Sequence, residues 1–120
     1  MNVLLIKPEP YEEPEIREYL QALDCDVYIA RGQTDVCRVL SERVIDSIFI
    51  NLINLEDFSL IRYINENYPK ANVVVISEAG VGKAIDNVRR CAFEAIRRPF
   101  HLNQFDEVVK TVSKLNKKNG

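Results

Sequence analysis

The chain has 120 residues, a formal charge of −2 and nearly half its residues apolar, which suits one domain with a real core. The near-balanced charge speaks against nucleic acid or an anionic membrane as partner. The three cysteines, Cys25, Cys37 and Cys91, are odd in number and widely spaced. That argues against a disulfide framework or a zinc site and for a reducing, cytoplasmic setting. The opening M-N-V-L-L-I-K is too short an apolar run for a signal peptide or a membrane span.

The first run, Asn2–Ile6, is continuously apolar, as in a strand covered on both faces. A helix is expected to open at Pro14, a residue favoured in a first turn, and to bury Ile16, Tyr19, Leu20 and Leu23. A more polar strand follows at Asp26–Ala30. The second helix is expected to be capped by Thr34 and to bury Val36, Val39, Leu40 and Val44. The third strand, Ser47–Ile50, is again apolar and hands the chain to Asn51. A third helix buries Phe58, Ile61 and Ile64 and stops near Pro69. The fourth strand is Asn72–Ile76. A fourth helix from about Gly82 buries Ala84, Ile85, Val88 and Cys91, and the fifth strand is Glu94–Arg97. A last helix buries Phe105, Val108, Val109, Val112 and Leu115, and a polar tail begins at about residue 116. The lysines of K-L-N-K-K-N-G stand where a helix dipole favours cations.

This (βα)5 alternation implies a single α/β domain over residues 1–120. The sheet should be doubly wound, parallel and five-stranded, flavodoxin-like, in the order 2-1-3-4-5, with the more polar second and fifth strands at its edges. Its functional edge lies at the carboxyl ends of the strands. Lys7, Asn51, Ser77 and Arg98 should converge there, with Glu9 and Glu78 close by in their loops.

Four stretches resemble the receiver domains of two-component response regulators: V-L-L-I-x-x-E-P at 3–10, D-S-I-F-I-N at 46–51, V-V-V-I-S at 73–77 and R-P-F at 98–100. The resemblance covers essentially the whole chain. It implies an acidic pair after strand 1 that holds Mg²⁺, an aspartate after strand 3 that is phosphorylated, a hydroxyl after strand 4 and a lysine after strand 5. Here those positions hold Lys7-Pro8, Asn51, Ser77 and Arg98. The loop after Asn51 lacks the family's proline–glycine segment, and Ala95 stands where an aromatic is common. The chain therefore resembles a pseudo-receiver.

The chemistry points the same way. Mg²⁺ favours carboxylate oxygen. Only Glu9 offers one at a matching position, and Lys7 beside it repels a divalent cation. An amide nitrogen does not form an acyl phosphate. No catalytic residue, resident cofactor or bound metal is expected, and Mg²⁺ binding should be weak or absent.

Lys7 is read as pairing with Glu9 or reaching solvent, Arg98 as a salt bridge to Glu9 or Glu78, and Ser77 as capping the next turn. The glycines of Ala79–Ala84 lack the spacing of a phosphate loop.

Acidic residues crowd the first loop and helix (Glu9, Glu12, Glu13, Glu15, Glu18), and basic ones gather on the fourth helix and fifth strand. The expected function is a phosphorylation-independent interaction module. It should bind a protein partner, or a second copy, through the face of the fourth helix, fifth strand and fifth helix. Candidate contacts are Lys83, Arg89, Arg90, Arg97 and His101. The alternative is a small-anion or metabolite sensor using the former phosphorylation pocket.

Overall fold

The computed structural model describes residues 1–53, 56–77, 94–98, 100 and 102–119, with the backbone alone at residues 94, 97, 102 and 115–119. The elements run β1 (Asn2–Ile6), α1 (Glu13–Ala22), β2 (Asp26–Ala30), α2 (Gln33–Glu42), β3 (Ser47–Leu52), α3 (Glu56–Asn67), β4 (Asn72–Ser77), β5 (Glu94–Arg97) and a C-terminal helix (Leu102–Asn119). The five strands form one parallel sheet in the order β2-β1-β3-β4-β5. The expected fourth helix, with Ala84, Ile85, Val88 and Cys91, lies outside the described residues.

Side chains alternate across a strand, so each central strand feeds two cores. Leu4, Ile6, Ile48, Ile50, Val73 and Val75 pack with Val36, Val39 and Leu40 of α2 and Leu60, Ile61 and Ile64 of α3. Val3, Leu5, Phe49, Val74, Ile76 and Ile96 pack with Ile16 and Leu20 of α1 and Phe105, Val109 and Val112 of the C-terminal helix. Phe105 is fully buried, with Tyr19 edge-on at 5.6 Å and Phe49 tilted at 5.1 Å between ring centroids.

Several expectations at element ends are corrected. β3 runs two residues past Ile50, and β4 runs one past Ile76. Asn51 pairs with Ile76 and Leu52 with Ser77, so Asn51 and Ser77 sit inside the sheet's last rungs. Thr34 is not a cap: α2 starts from Gly32, with no side-chain cap. Leu23 follows the end of α1 and is 48% exposed. Val44 follows Arg43, where the backbone turns extended, and is 81% exposed. The helical spacing that promised burial of both ends before it reaches them. Tyr19, Phe58 and Val108 are only partly buried. The last helix continues through the polar stretch to Asn119.

Candidate functional site

Lys7 leaves β1 with a left-handed backbone (φ 51°), an uncommon conformation for a side-chain-bearing residue. Its N–H still donates to the Ala30 carbonyl at 2.8 Å, so the turn begins only after the β1–β2 pairing is complete. The loop then folds on Glu9, whose carbonyl accepts the N–H groups of Glu12 and Glu13, both at 2.9 Å. This places Glu12 at the N-cap of α1, beside the dipole end that favours a carboxylate.

Arg98 is held from the other side. Its N–H donates to the Ser77 carbonyl at 2.8 Å, and its side chain is 7% exposed. The guanidinium donates from Nε to Glu12 Oε2 at 2.9 Å and from Nη2 to Glu12 Oε1 at 2.6 Å. This is the parallel two-bond fit between a planar fork and a carboxylate. The remaining terminal nitrogen, Nη1, donates to Asn51 Oδ1 at 2.9 Å. Asn51, 2% exposed, donates in turn from Nδ2 to the Lys7 carbonyl and to Glu9 Oε1, both at 3.1 Å. Arg98 forms a salt bridge with Glu12, a carboxylate other than those expected; the expected Glu78 lies outside the described residues. Buried there, Arg98 does not belong to an exposed basic face.

Lys7 pairs with neither Glu9 nor solvent alone: its ammonium forms an ion pair with Asp57 Oδ1. Asp57, buried in the first turn of α3, accepts the Ile53 N–H on its other oxygen at 2.7 Å. One carboxylate oxygen thus remained for a cation, whereas Glu9 is engaged by the Asn51 amide. A recess of about 190 Å³ lies beside this pair, bounded by Lys7, Asp57, Glu56, Arg31 and Gly32. Ser77 Oγ is buried without a hydrogen-bond partner among the described residues, so the expected turn cap is not seen there. Pro8 lies in the loop between Lys7 and Glu9 and has no N–H to offer.

The acidic crowd of the first loop thus separates into roles. Glu9 faces Asn51, Glu12 takes Arg98, and Glu13 accepts from Arg31 at 2.8 Å, while Glu15 and Glu18 remain exposed. Of the candidate interaction residues, Arg97 ends β5 as backbone only. Lys83, Arg89, Arg90 and His101 lie outside the described residues, as does Glu78.

The Mg²⁺ implied by the receiver resemblance does not suit this donor set. Among the described residues, Glu9 is already on an amide and Glu12 and Asp57 on cations, and the Lys7 ammonium adds positive charge where the acidic pair would stand. No group of three His, Cys, Asp or Glu side chains able to hold a metal occurs among the described residues. Nor is any helix among them long and apolar enough to cross a membrane.

No protein-family model matches the chain, and no curated protein sequence does. Solved structures do. A response regulator from Thermotoga maritima is 25% identical, with a TM-score of 0.81 over 92% of this chain and 95% of that one. The signal receiver domain of an HD domain-containing protein from Pseudomonas fluorescens Pf-5 is 14% identical, with a TM-score of 0.86 over 98% and 90%. The response regulator TrrA from Thermotoga maritima, solved in complex with Mg(2+)-BeF, is 16% identical, with a TM-score of 0.77 over 92% and 97%. The chain has the fold of response-regulator receiver domains.

Proposed function

We propose that this chain is a pseudo-receiver: a phosphorylation-independent, non-enzymatic interaction module of a two-component-type pathway in the cytoplasm, forming one domain over its length. The observation that carries this reading is the double engagement of Asn51. Its carbonyl oxygen is held by Arg98 and its amide nitrogen by Glu9 and the Lys7 carbonyl. TrrA was solved in complex with Mg(2+)-BeF; in this chain the corner around Asn51 is filled by the chain's own side chains. The fold is kept while the metal ligands and the phosphoryl acceptor are replaced, which favours a surface-binding role.

The test of the chemistry is incubation with acetyl phosphate and Mg²⁺ followed by intact-mass measurement. No stable gain of a phosphoryl group is expected. Asn51→Asp is expected to remain unmodified as well. Its new carboxylate would meet Glu9 Oε1 at the position of a 3.1 Å hydrogen bond, and Lys7-Pro8 would still deny the metal. Efficient phosphorylation of either protein would sink the reading. The test of the surface is charge reversal at Arg89 and Arg90, which the sequence groups with Lys83, Arg97 and His101 as the candidate contacts. Loss of a captured protein partner, or of self-association, supports docking there; unchanged binding removes that face from the proposal.

A second reading, an anion sensor, draws on one specific observation. A buried guanidinium stands at an edge where Ser77 keeps a buried hydroxyl without a partner among the described residues.

A further inference from the structure

The way Glu12 meets Arg98 is the way a free oxyanion would. Both carboxylate oxygens accept, from Nε and Nη2, in the side-on geometry by which a guanidinium grips carboxylate or phosphate. The third donating nitrogen is steadied by Asn51, so the fork is fixed whether or not Glu12 is on it. The two halves differ in how their side chains are held. Arg98 and Asn51 are buried, and Arg98 is anchored through its own backbone to β4. Glu12 is fixed through its backbone, its N–H donating to the Glu9 carbonyl and its carbonyl accepting the Ile16 N–H. Its side chain makes no cap bond to the helix, and it follows two exposed residues, Pro10 and Tyr11, Tyr11 to 69%.

We propose that Glu12 is a tethered oxyanion that closes the pocket, and that Arg98 accepts a free oxyanion of the phosphate or carboxylate class only when Glu12 leaves it. This deepens the anion-sensing reading of the site and rests on the pocket not being phosphorylated. A ligand tethered by a short loop acts at an effective concentration of millimolar or more. The closed pocket therefore resists millimolar phosphate, and whatever draws Glu12 away, such as a partner that binds the first loop, opens it. Ser77, whose carbonyl anchors Arg98, holds a further hydroxyl at the same edge.

The experiment compares the wild-type chain with Glu12→Ala and Glu12→Gln, using inorganic phosphate and acetate as probes against chloride at matched ionic strength. Two signals are followed: the thermal midpoint and the Arg98 Nε–H resonance in ¹⁵N-labelled protein. The wild type is expected to show no saturable response to either probe. Glu12→Ala is expected to lose several degrees of midpoint and to regain more than half of it as phosphate saturates, with a concerted shift of the Nε–H signal. The added substitution Arg98→Lys, which removes the Nε–H probe itself, should abolish the phosphate-dependent gain in midpoint. Glu12→Gln keeps the shape of the latch and should respond at lower phosphate than the wild type, which decides the matter should Glu12→Ala fail to fold. Equal responses in wild type and Glu12 variants, or none in any of them, overturn the latch. A stable mass gain from acetyl phosphate in a Glu12 variant would instead overturn the non-phosphorylated reading, so the two failures are distinct.

Discussion

Replacing Arg98 by methionine keeps most of the side chain's volume and removes its charge and all its donors. Among the described residues, the two hydrogen bonds to Glu12 and the one to Asn51 disappear. What remains is a carboxylate 14% exposed and an amide oxygen on a residue only 2% exposed. Removing one partner of a buried ion pair costs about 3–5 kcal/mol. The residual exposure of Glu12 lets water recover part of this, so the loss should fall near the lower bound, about 3 kcal/mol. Against a total stability of about 5–15 kcal/mol that is a large fraction, and it corresponds to a fall in midpoint of roughly 10 °C. The assay is urea denaturation followed by far-ultraviolet circular dichroism. The m-value should be unchanged while the midpoint concentration falls. Adding Glu12→Leu to Arg98→Met should restore part of the loss, because it removes the stranded carboxylate and leaves only the Asn51 oxygen without its donor. A loss for Arg98→Met of less than about 1 kcal/mol, the range of exposed pairs, would refute the claim that this bridge is a buried structural one.

Three further outcomes follow from the same structure. Asp57→Asn weakens the hold on Lys7 and on the Ile53 N–H; with the lysine side chain 25% exposed, the expected loss is smaller, about 1–2 kcal/mol by the same denaturation assay. Phe105→Ala removes a fully buried ring from among Tyr19, Phe49 and Phe100, and should cost about 3–5 kcal/mol. Burial pushes the Cys25 thiol above its usual range, so little thiolate forms near neutral pH. Alkylation mapped by peptide mass should reach half-buried Cys37 well before Cys25, with Cys25 catching up only as pH rises past the ordinary thiol range.

The architecture was legible because its signals are local. Asn2–Ile6, Asp26–Ala30 and Glu94–Arg97 are found at the bounds their composition indicates, and the 2-1-3-4-5 order follows from the alternation. β3 and β4 overran because a polar side chain reads as a strand end, whereas pairing depends on backbone groups that Asn51 and Ser77 still supply. Lys7, Glu9, Asn51, Ser77 and Arg98 were legible as positions at the edge, but Glu12 and Asp57, which take the two cations, were not. Glu12 and Arg98 are 86 residues apart, and nothing in the first loop distinguishes Glu12 from Glu13 or Glu15 until the turn on the Glu9 carbonyl has formed. Asp57 belongs to none of the motifs that single out the edge. Its burial is set by the helical spacing it shares with Leu60, Ile61 and Ile64, and that signal was present in the sequence.

The amide at position 51 is well suited to stand between Arg98 and Glu9. It must accept from a cation at one end and donate to an anion at the other, and Asn does both with one rigid, neutral dipole. An aspartate would serve the first end and fail the second, a lysine the reverse, and a leucine neither. An acid at this position would therefore be opposed by the folded state before any question of phosphorylation arose.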